Sequence, residues 1–510
     1  MENKNRLVAV IEIGSTAIRL LVAEIFPNGL WQSMDRASKP VALGRDVFTT
    51  GQVSRESFLE CISLLRNFRE FLRGWGIGDT EMHVIATSAL RVARNRDLFV
   101  DRVRQETGLM LTIVEGIEEN RLMYLAVRFA LKNDLPLFWR VNSMVLEIGG
   151  GSSEIMLLRR GRMVAAHSLK LGTIPIGQAS RTGSFRLDER YINESIRNTT
   201  DFLSSELDLA HVRAFIVVGF DASVAAAQVG TNLNENCWIV TREAFTGFVK
   251  KVQDYTPEEC MEKLQMPYWE AETFIPGILV NKLLLERTGA IQVVVPRVSI
   301  REGLLIDLAH GIDTYQQEDF FSQIFASAVN LGRKYHIDEP HCRHVASLCM
   351  IIFDAMVQEH GMNRRERMLL EAAAMLHEIG MFIRASGHNL HGQYIISNSE
   401  IFGLKQEEQA IIGNVIRYHR GNTPAPTDID YIALQREERI LVLKMVALLR
   451  VADSLDRGHS QHIKIKVVEK KSETVVIHTE GAVDLSLDLL GLGEKCALFQ
   501  DVFGYKIVVN

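Results

Sequence analysis

Two short stretches carry residues suited to holding an anion. One is Gly14-Ser15-Thr16, the other Gly149-Gly150-Gly151-Ser152. Residues without a Cβ let successive backbone N–H groups turn towards one point, and such a nest favours phosphate. Each tip follows an apolar run ending in Glu-Ile, so Glu12 and Glu147 stand at the two lips. The segments "VAVIEIGSTAIRLLV" and "SMVLEIGGGSSEIML" repeat one pattern about 135 residues apart: apolar strand, Glu, Ile, Gly, small hydroxyl residue, second strand. Either tip alone reads as an ordinary hairpin turn. The matched pair predicts two similar α/β halves facing each other across a cleft, with a phosphate chain gripped from both sides. Arg91 follows a strand and turn, and its guanidinium suits two-pronged neutralisation of phosphate or a solvated helix start. Glu115, Glu118 and Glu119 surround a helix start, where the backbone dipole favours acids in any case.

The elements that must position these residues follow from the apolar periods. "RLVAVIEIGS" (6–15) and "IRLLVAEIF" (18–26) read as two strands of a hairpin. Residues 55–76 carry a helical apolar spacing closed by Gly. "MHVIATSALRVA" reads as strand, turn and helix start, and a helix is predicted from about Ile117. "AFIVVGFDASVAAA" (214–227) is a strand, a Gly turn and an Ala-rich helix, and "VVPRVSIREGLLIDLA" closes the second half. After about residue 315 strand signals stop, and segments 319–335, 341–360, 364–382, 406–419 and 434–453 read as amphipathic helices. From 461 the pattern returns to alternating strands. Two α/β domains, an all-α domain and a small α/β cap are therefore expected.

The chain has 510 residues, 47% apolar and 24% charged, as in an ordinary globular protein. A net charge of -6 argues against a general nucleic-acid binder. Six cysteines, Cys61, Cys237, Cys260, Cys342, Cys349 and Cys496, form no CxxC pair, which suits reduced thiols in the cytoplasm. The start "MENKNRLVAVIEIG" enters a strand without an apolar leader core, and no stretch of about 18 uncharged apolar residues occurs, so no integral membrane contact is expected.

With six motifs in order, the chain resembles the exopolyphosphatase and guanosine pentaphosphate phosphohydrolase (Ppx/GppA) family. They are "GST" at the first tip, "ATSALR" (86–91), "GIEENRL" (116–122), "EIGGGSSE" (147–154), "LKLGT" (169–173) and "SIREGLL" (299–305). The resemblance implies an α/β actin-like (ribonuclease H-like) two-domain ATPase-type core, with domain I at 1–122 and domain II at 123–315. It implies an all-α HD-like domain at 316–460 and a small C-terminal α/β domain at 461–510. It implies an exopolyphosphatase, a phosphoanhydride hydrolase removing terminal phosphate from inorganic polyphosphate, with guanosine pentaphosphate as the alternative substrate. Glu119 matches the family's general base. Gly14, Ser15, Thr16, Arg91, Gly149, Gly150, Gly151 and Ser152 would contact phosphate. Mg²⁺ would be the cofactor, held by Glu12, Glu147 and Glu154, because it takes carboxylates and phosphate oxygens. A homodimer is expected.

Three departures stand against that pattern. The family carries Asp where this chain has Glu12 and Glu147, and one methylene moves a carboxylate by roughly 1 Å, enough to cost about 10²-fold in rate. Ala17 replaces a polar residue of the first loop. Gly219-Phe220-Asp221-Ala222 replaces a small Gly-rich turn with bulk and charge. They motivate a second class of function, a catalytically weakened polyphosphate or alarmone-binding regulator. In the helical region His344, the pair His377-Glu378 and Asp453 occupy the places of an HD-type metal site. Glu378 stands for the usual Asp, so a structural role is expected there rather than catalysis.

Overall fold

The computed structural model describes residues 5–131, 140–179, 189–309, 314–480 and 497–510. The chain forms two compact units, Met1–Gln317 and Glu318–Asn510. In the first, β1 (Arg6–Ile13) and β2 (Ala17–Ile25) pair antiparallel, with Glu12 opposite Arg19 and Ile13 opposite Ile18. The near-continuous apolar run of β1 demands cover on both faces, and Val8 to Ile11 are at most 1% exposed. β3 (Trp31–Pro40), β4 (Met82–Ala86) and β5 (Leu111–Ile113) complete a sheet of order β3-β2-β1-β4-β5, parallel at β1–β4 and β4–β5. Reaching the parallel β4 requires a crossover. Helix Arg55–Gly74 supplies it, capped by the Ser54 side chain accepting from the Ser57 N–H and burying Cys61, Ile62, Leu65, Phe68 and Leu72.

The second sheet contains β6 (Asn142–Ile148), β7 (Ser153–Arg159), β8 (Arg162–Leu169), β9 (Val212–Val218), β10 (Thr231–Asn234), β11 (Cys237–Thr241) and β12 (Gln292–Pro296). Its order is β10-β11-β12-β9-β6-β7-β8. The run β8-β7-β6-β9-β12 has the connectivity of β3-β2-β1-β4-β5: an antiparallel meander followed by two parallel neighbours. The sequence repeat is thus a topological repeat. Glu147 sits opposite Glu154 across the second hairpin, on the same face.

One expectation changes. By its sequence pattern "VVPRVSIREGLLIDLA" closes the second half. Its strand, β12, does so, but helix Ile300–Ala309 returns to the first sheet. Leu305 and Ala309 pack with Val8, Leu21, Ala23 and Ile25. The helix crosses helix Gly116–Ala130 backbone to backbone, because a Cβ on Gly303 would lie 2.1 Å from the Leu122 carbonyl oxygen.

The second unit is helical, and the boundary between the units falls inside helix Thr314–Lys334. Helices Glu339–Ala355, Arg364–Leu376, Gln406–Tyr418 and Arg436–Ser454 follow the predicted apolar periods. The segment 364–382 breaks at Leu376, because Gly380 lies against the backbone of His388 in a close approach that no side chain permits. Helix His388–Ser397 was not foreseen; Gly387 and Gly392 masked it. The cap is part of this unit. β13 (Lys464–Lys470), β14 (Thr474–Glu480) and β15 (Lys506–Val509) form its sheet, and helix Ala497–Phe503 packs on helix Arg436–Ser454. Cys496 lies outside the described residues. Among those described, no helix is long and apolar enough to cross a membrane.

Inside a free helix Gly→Ala stabilises by roughly 1 kcal/mol. Gly303→Ala is expected to do the reverse, lowering the midpoint of thermal unfolding. An unchanged or raised midpoint would mean that the two helices are not in backbone contact.

Candidate active site

The first unit contains a cleft of about 340 Å³ between its two sheets. It is lined by Glu12, Gly14, Ser15, Thr16, Glu119, Glu147, Gly149, Gly150, Ser152 and Glu154. The two Gly-rich tips meet there: a Cβ on Gly150 would lie 2.7 Å from Ser15 Cβ. The first tip is closed by the Gly14 N–H donating to the Ala17 carbonyl at 3.0 Å, the second by the Gly149 N–H donating to the Ser152 carbonyl at 2.9 Å. Gly151 plays a different part from the one expected. It is not among the cleft-lining residues, and a Cβ there would overlap the Phe48 ring, so its glycine serves packing.

Helix Gly116–Ala130 begins after Glu115, which has extended backbone, and brings Glu119 into the cleft wall, 5% exposed. Arg91 lies behind that wall. Its Nη1 donates to Glu119 Oε1 at 3.0 Å and to the Val114 carbonyl at 2.8 Å; its Nη2 donates to Ser152 Oγ at 3.2 Å. Arg91 therefore positions a carboxylate rather than presenting a free fork to the cleft. Glu154 accepts from Ser152 Oγ at 2.9 Å, Ser168 Oγ at 2.8 Å and Asn120 Nδ2 at 3.1 Å.

Glu12 differs from the other acids. Arg301 Nε reaches it at 3.2 Å and Arg19 Nη1 at 4.0 Å. Arg19 also donates to Glu270 Oε1 at 2.8 Å, tying the first hairpin to helix Tyr268–Glu286 of the second half. Sequence reasoning missed both arginines. Arg19 was legible, since hairpin register places it beside Glu12, and Arg301 lies within the quoted "SIREGLL". Glu270 carried no signal.

Carboxylates outnumber cations here. Burial and then Glu154 push the Glu119 carboxyl well above its usual range, against the pull of Arg91. Burial, Glu12 and Glu119 push Glu147 up to about 8. Burial raises Glu154 as well, although its hydrogen bonds and Arg91 oppose the rise. Burial takes Asp221 up to about 7; its Oδ2 accepts a short hydrogen bond from Asn281. Glu12, Glu147 and Glu154 do not bring ligand atoms within 4.8 Å of one another as a trio. Glu12, clasped by arginine, is therefore a poor metal ligand as placed.

The expected histidine site takes another form. His377 and Asp453 converge, but their partner is His341, not His344. Glu378 joins His341 and His459 in an overlapping group. His344 lies one turn farther along helix Glu339–Ala355, outside both groups.

Two Gly-rich tips thus meet over a cleft whose wall holds a buried carboxylate at a helix start, on a core of two sheets with the same strand connectivity. The chain matches the Ppx/GppA phosphatase family over residues 21–311 and the family's domain III over 325–490, and it belongs to that family. It is 23% identical over 462 residues to the guanosine-5'-triphosphate,3'-diphosphate pyrophosphatase of Pseudoalteromonas translucida, covering 89% of this chain and 87% of that protein. The same-named protein of Aliivibrio fischeri is 24% identical over 451 residues, covering 86% of each. A solved exopolyphosphatase from Cytophaga hutchinsonii superposes with TM-score 0.55 at 19% identity, covering 60% of this chain and 99% of that one.

The Glu147 carboxyl gives a signed pH dependence. Its raised value means that the fold favours the protonated form. That stability is complete below the ordinary value of about 4.3 and is lost as pH rises through about 8. Glu147→Gln keeps a neutral group there. It is expected to flatten the fall in thermal midpoint between about pH 5 and about pH 9. An equal fall in both proteins would remove Glu147 as its source.

Proposed function

We infer that this chain is an exopolyphosphatase, hydrolysing the terminal phosphoanhydride bond of inorganic polyphosphate in the cleft. The observation carrying this is Glu119, buried at a helix start, oriented by Arg91 and facing the space between two phosphate loops. A general base works best with a pKa near the operating pH, and the crowding that raises Glu119 moves it in that direction. Water attacks the terminal phosphorus, its proton passes to Glu119, and the bond to the bridging oxygen breaks with the shortened chain as leaving group.

The excess of buried carboxylate fits a divalent cation. Mg²⁺ takes one or two carboxylates and keeps its remaining positions for water and phosphate. Glu147 and Glu154, side by side across the hairpin, would hold it, and it would supply charge neutralisation at the phosphate oxygens. The loop tips bind and orient the terminal phosphates. Arg19 and Arg301, now on Glu12, lie where the rest of a polyanion would run.

Guanosine pentaphosphate is a second reading. Two observations favour it: the pyrophosphatase names of the curated relatives, and Phe220, a half-exposed ring lining the cleft as does Arg297. The Arg297 guanidinium lies 3.7 Å from the centre of the Trp238 ring, so flat cationic and aromatic faces are available to a base.

The test is phosphate release from long-chain polyphosphate and, separately, from guanosine pentaphosphate, each with Mg²⁺. Glu119→Gln is expected to lower release from the preferred substrate by about 10²–10⁴-fold while leaving binding intact. Release confined to the nucleotide would select the second reading. No release from either, with polyphosphate still bound, would make the chain a sensor.

A further inference from the structure

We propose that the helical unit carries a metal centre for a divalent first-row transition ion, separate from the cleft. Its ligands are His341 Nε2, His377 Nε2 and Asp453, with Glu378 and His459 at the rim. The ligand atoms of His341, His377 and Asp453 all lie within 4.8 Å of one another, and so do those of His341, Glu378 and His459.

Three observations point to an ion rather than to a packed core. First, the histidines are tethered by their other nitrogen. His341 Nδ1 lies 2.9 Å from Asp456 Oδ2, His377 Nδ1 is 2.7 Å from the Ala374 carbonyl, and His459 Nδ1 is 3.0 Å from Asp338 Oδ2. An acceptor at Nδ1 fixes the tautomer with its proton there, leaving an Nε2 lone pair facing the common centre. This is the outer support that metal-ligating histidines use. Secondly, the Nε2 atoms of His341 and His377 are buried without a hydrogen-bond partner, although both side chains are 0% exposed. A buried polar atom left so costs about 1–3 kcal/mol unless something satisfies it.

Thirdly, the spacing suits coordination. His377 Nε2 lies 3.5 Å from Asp453 Oδ1, His341 Nε2 lies 4.0 Å from both Asp453 Oδ1 and Glu378 Oε2, and His459 Nε2 is 3.6 Å from Glu378 Oε1. Ligands about 2.1 Å from a shared ion stand roughly 3–3.5 Å apart, so these gaps close by a few tenths of an ångström around a metal. Imidazole with carboxylate suits Zn²⁺, Mn²⁺, Co²⁺ or Fe²⁺ better than Mg²⁺, which prefers oxygen alone. His341 and His377 are wholly buried, whereas the His459 side chain is 38% exposed, so an ion here has protein on one side and an opening to water on the other.

The probe is Co²⁺ added to the full, chelator-treated chain, followed by visible absorption and equilibrium dialysis, then displaced by Zn²⁺. About one tightly held equivalent with bands of nitrogen ligation is expected. His341→Ala with His377→Ala should abolish it. Because that variant empties a core, the rim pair Glu378→Gln with His459→Ala, and the positioning variant Asp456→Asn, are measured too. Each should weaken binding by about 10–100-fold with unchanged circular dichroism. Glu119→Gln should bind Co²⁺ as the parent does, which keeps this result independent of the cleft. Absence of the bands, or affinity unchanged in the rim and Asp456→Asn variants, would overturn the proposal.

Discussion

Buried negative charge in excess of buried positive charge is the constraint around which the cleft is built. Glu12, Glu119, Glu147 and Glu154 come from four different elements and converge on one volume, and repulsion between them is only partly offset by Arg19, Arg91 and Arg301. An unpaired charge taken from water costs so much that it neutralises or finds a partner. The protein uses both routes. Glu12 is paired with arginine, and Glu147 is driven towards its protonated form. The hydrogen bonds from Asn120, Ser152 and Ser168 to Glu154 serve the same need.

Much of this was legible in the sequence, because hairpin tips and strand alternation are local. The Glu-Ile-Gly repeat gave both loops and, through register, the cleft-facing side of each strand. The helix carrying Glu119 followed from its Gly turn and apolar spacing. What escaped depends on contacts far apart in the chain. That Glu270 meets Arg19 cannot be read from either segment. The return of helix Ile300–Ala309 to the first sheet is set by packing on Leu122, and its apolar pattern does not say which sheet it covers. Gly151 looked identical to its neighbours, yet Phe48, distant in sequence, decides that it packs rather than faces the cleft.

The helical unit shows the same division at finer scale. Helical periodicity located helix Glu339–Ala355 and placed both His341 and His344 on it, but residues three apart share a face and the sequence does not rank them. The choice of His341 is made by Asp456, which lies 115 positions away and holds its Nδ1. His388 and His419, whose Nε2 atoms stand 3.2 Å apart, likewise meet only because helix His388–Ser397 forms, although Gly387 before it and Gly392 within it read as loop.

The contact between Ser15 and Gly150 has a geometric result for the two halves of the first unit. A Cβ on Gly150 would lie 2.7 Å from Ser15 Cβ, closer than two side-chain carbons approach, so the halves meet there through bare backbone. A methyl group at residue 150 would wedge them apart. One missing side chain thereby sets how near the two Gly-rich tips stand across the cleft that Glu119 lines.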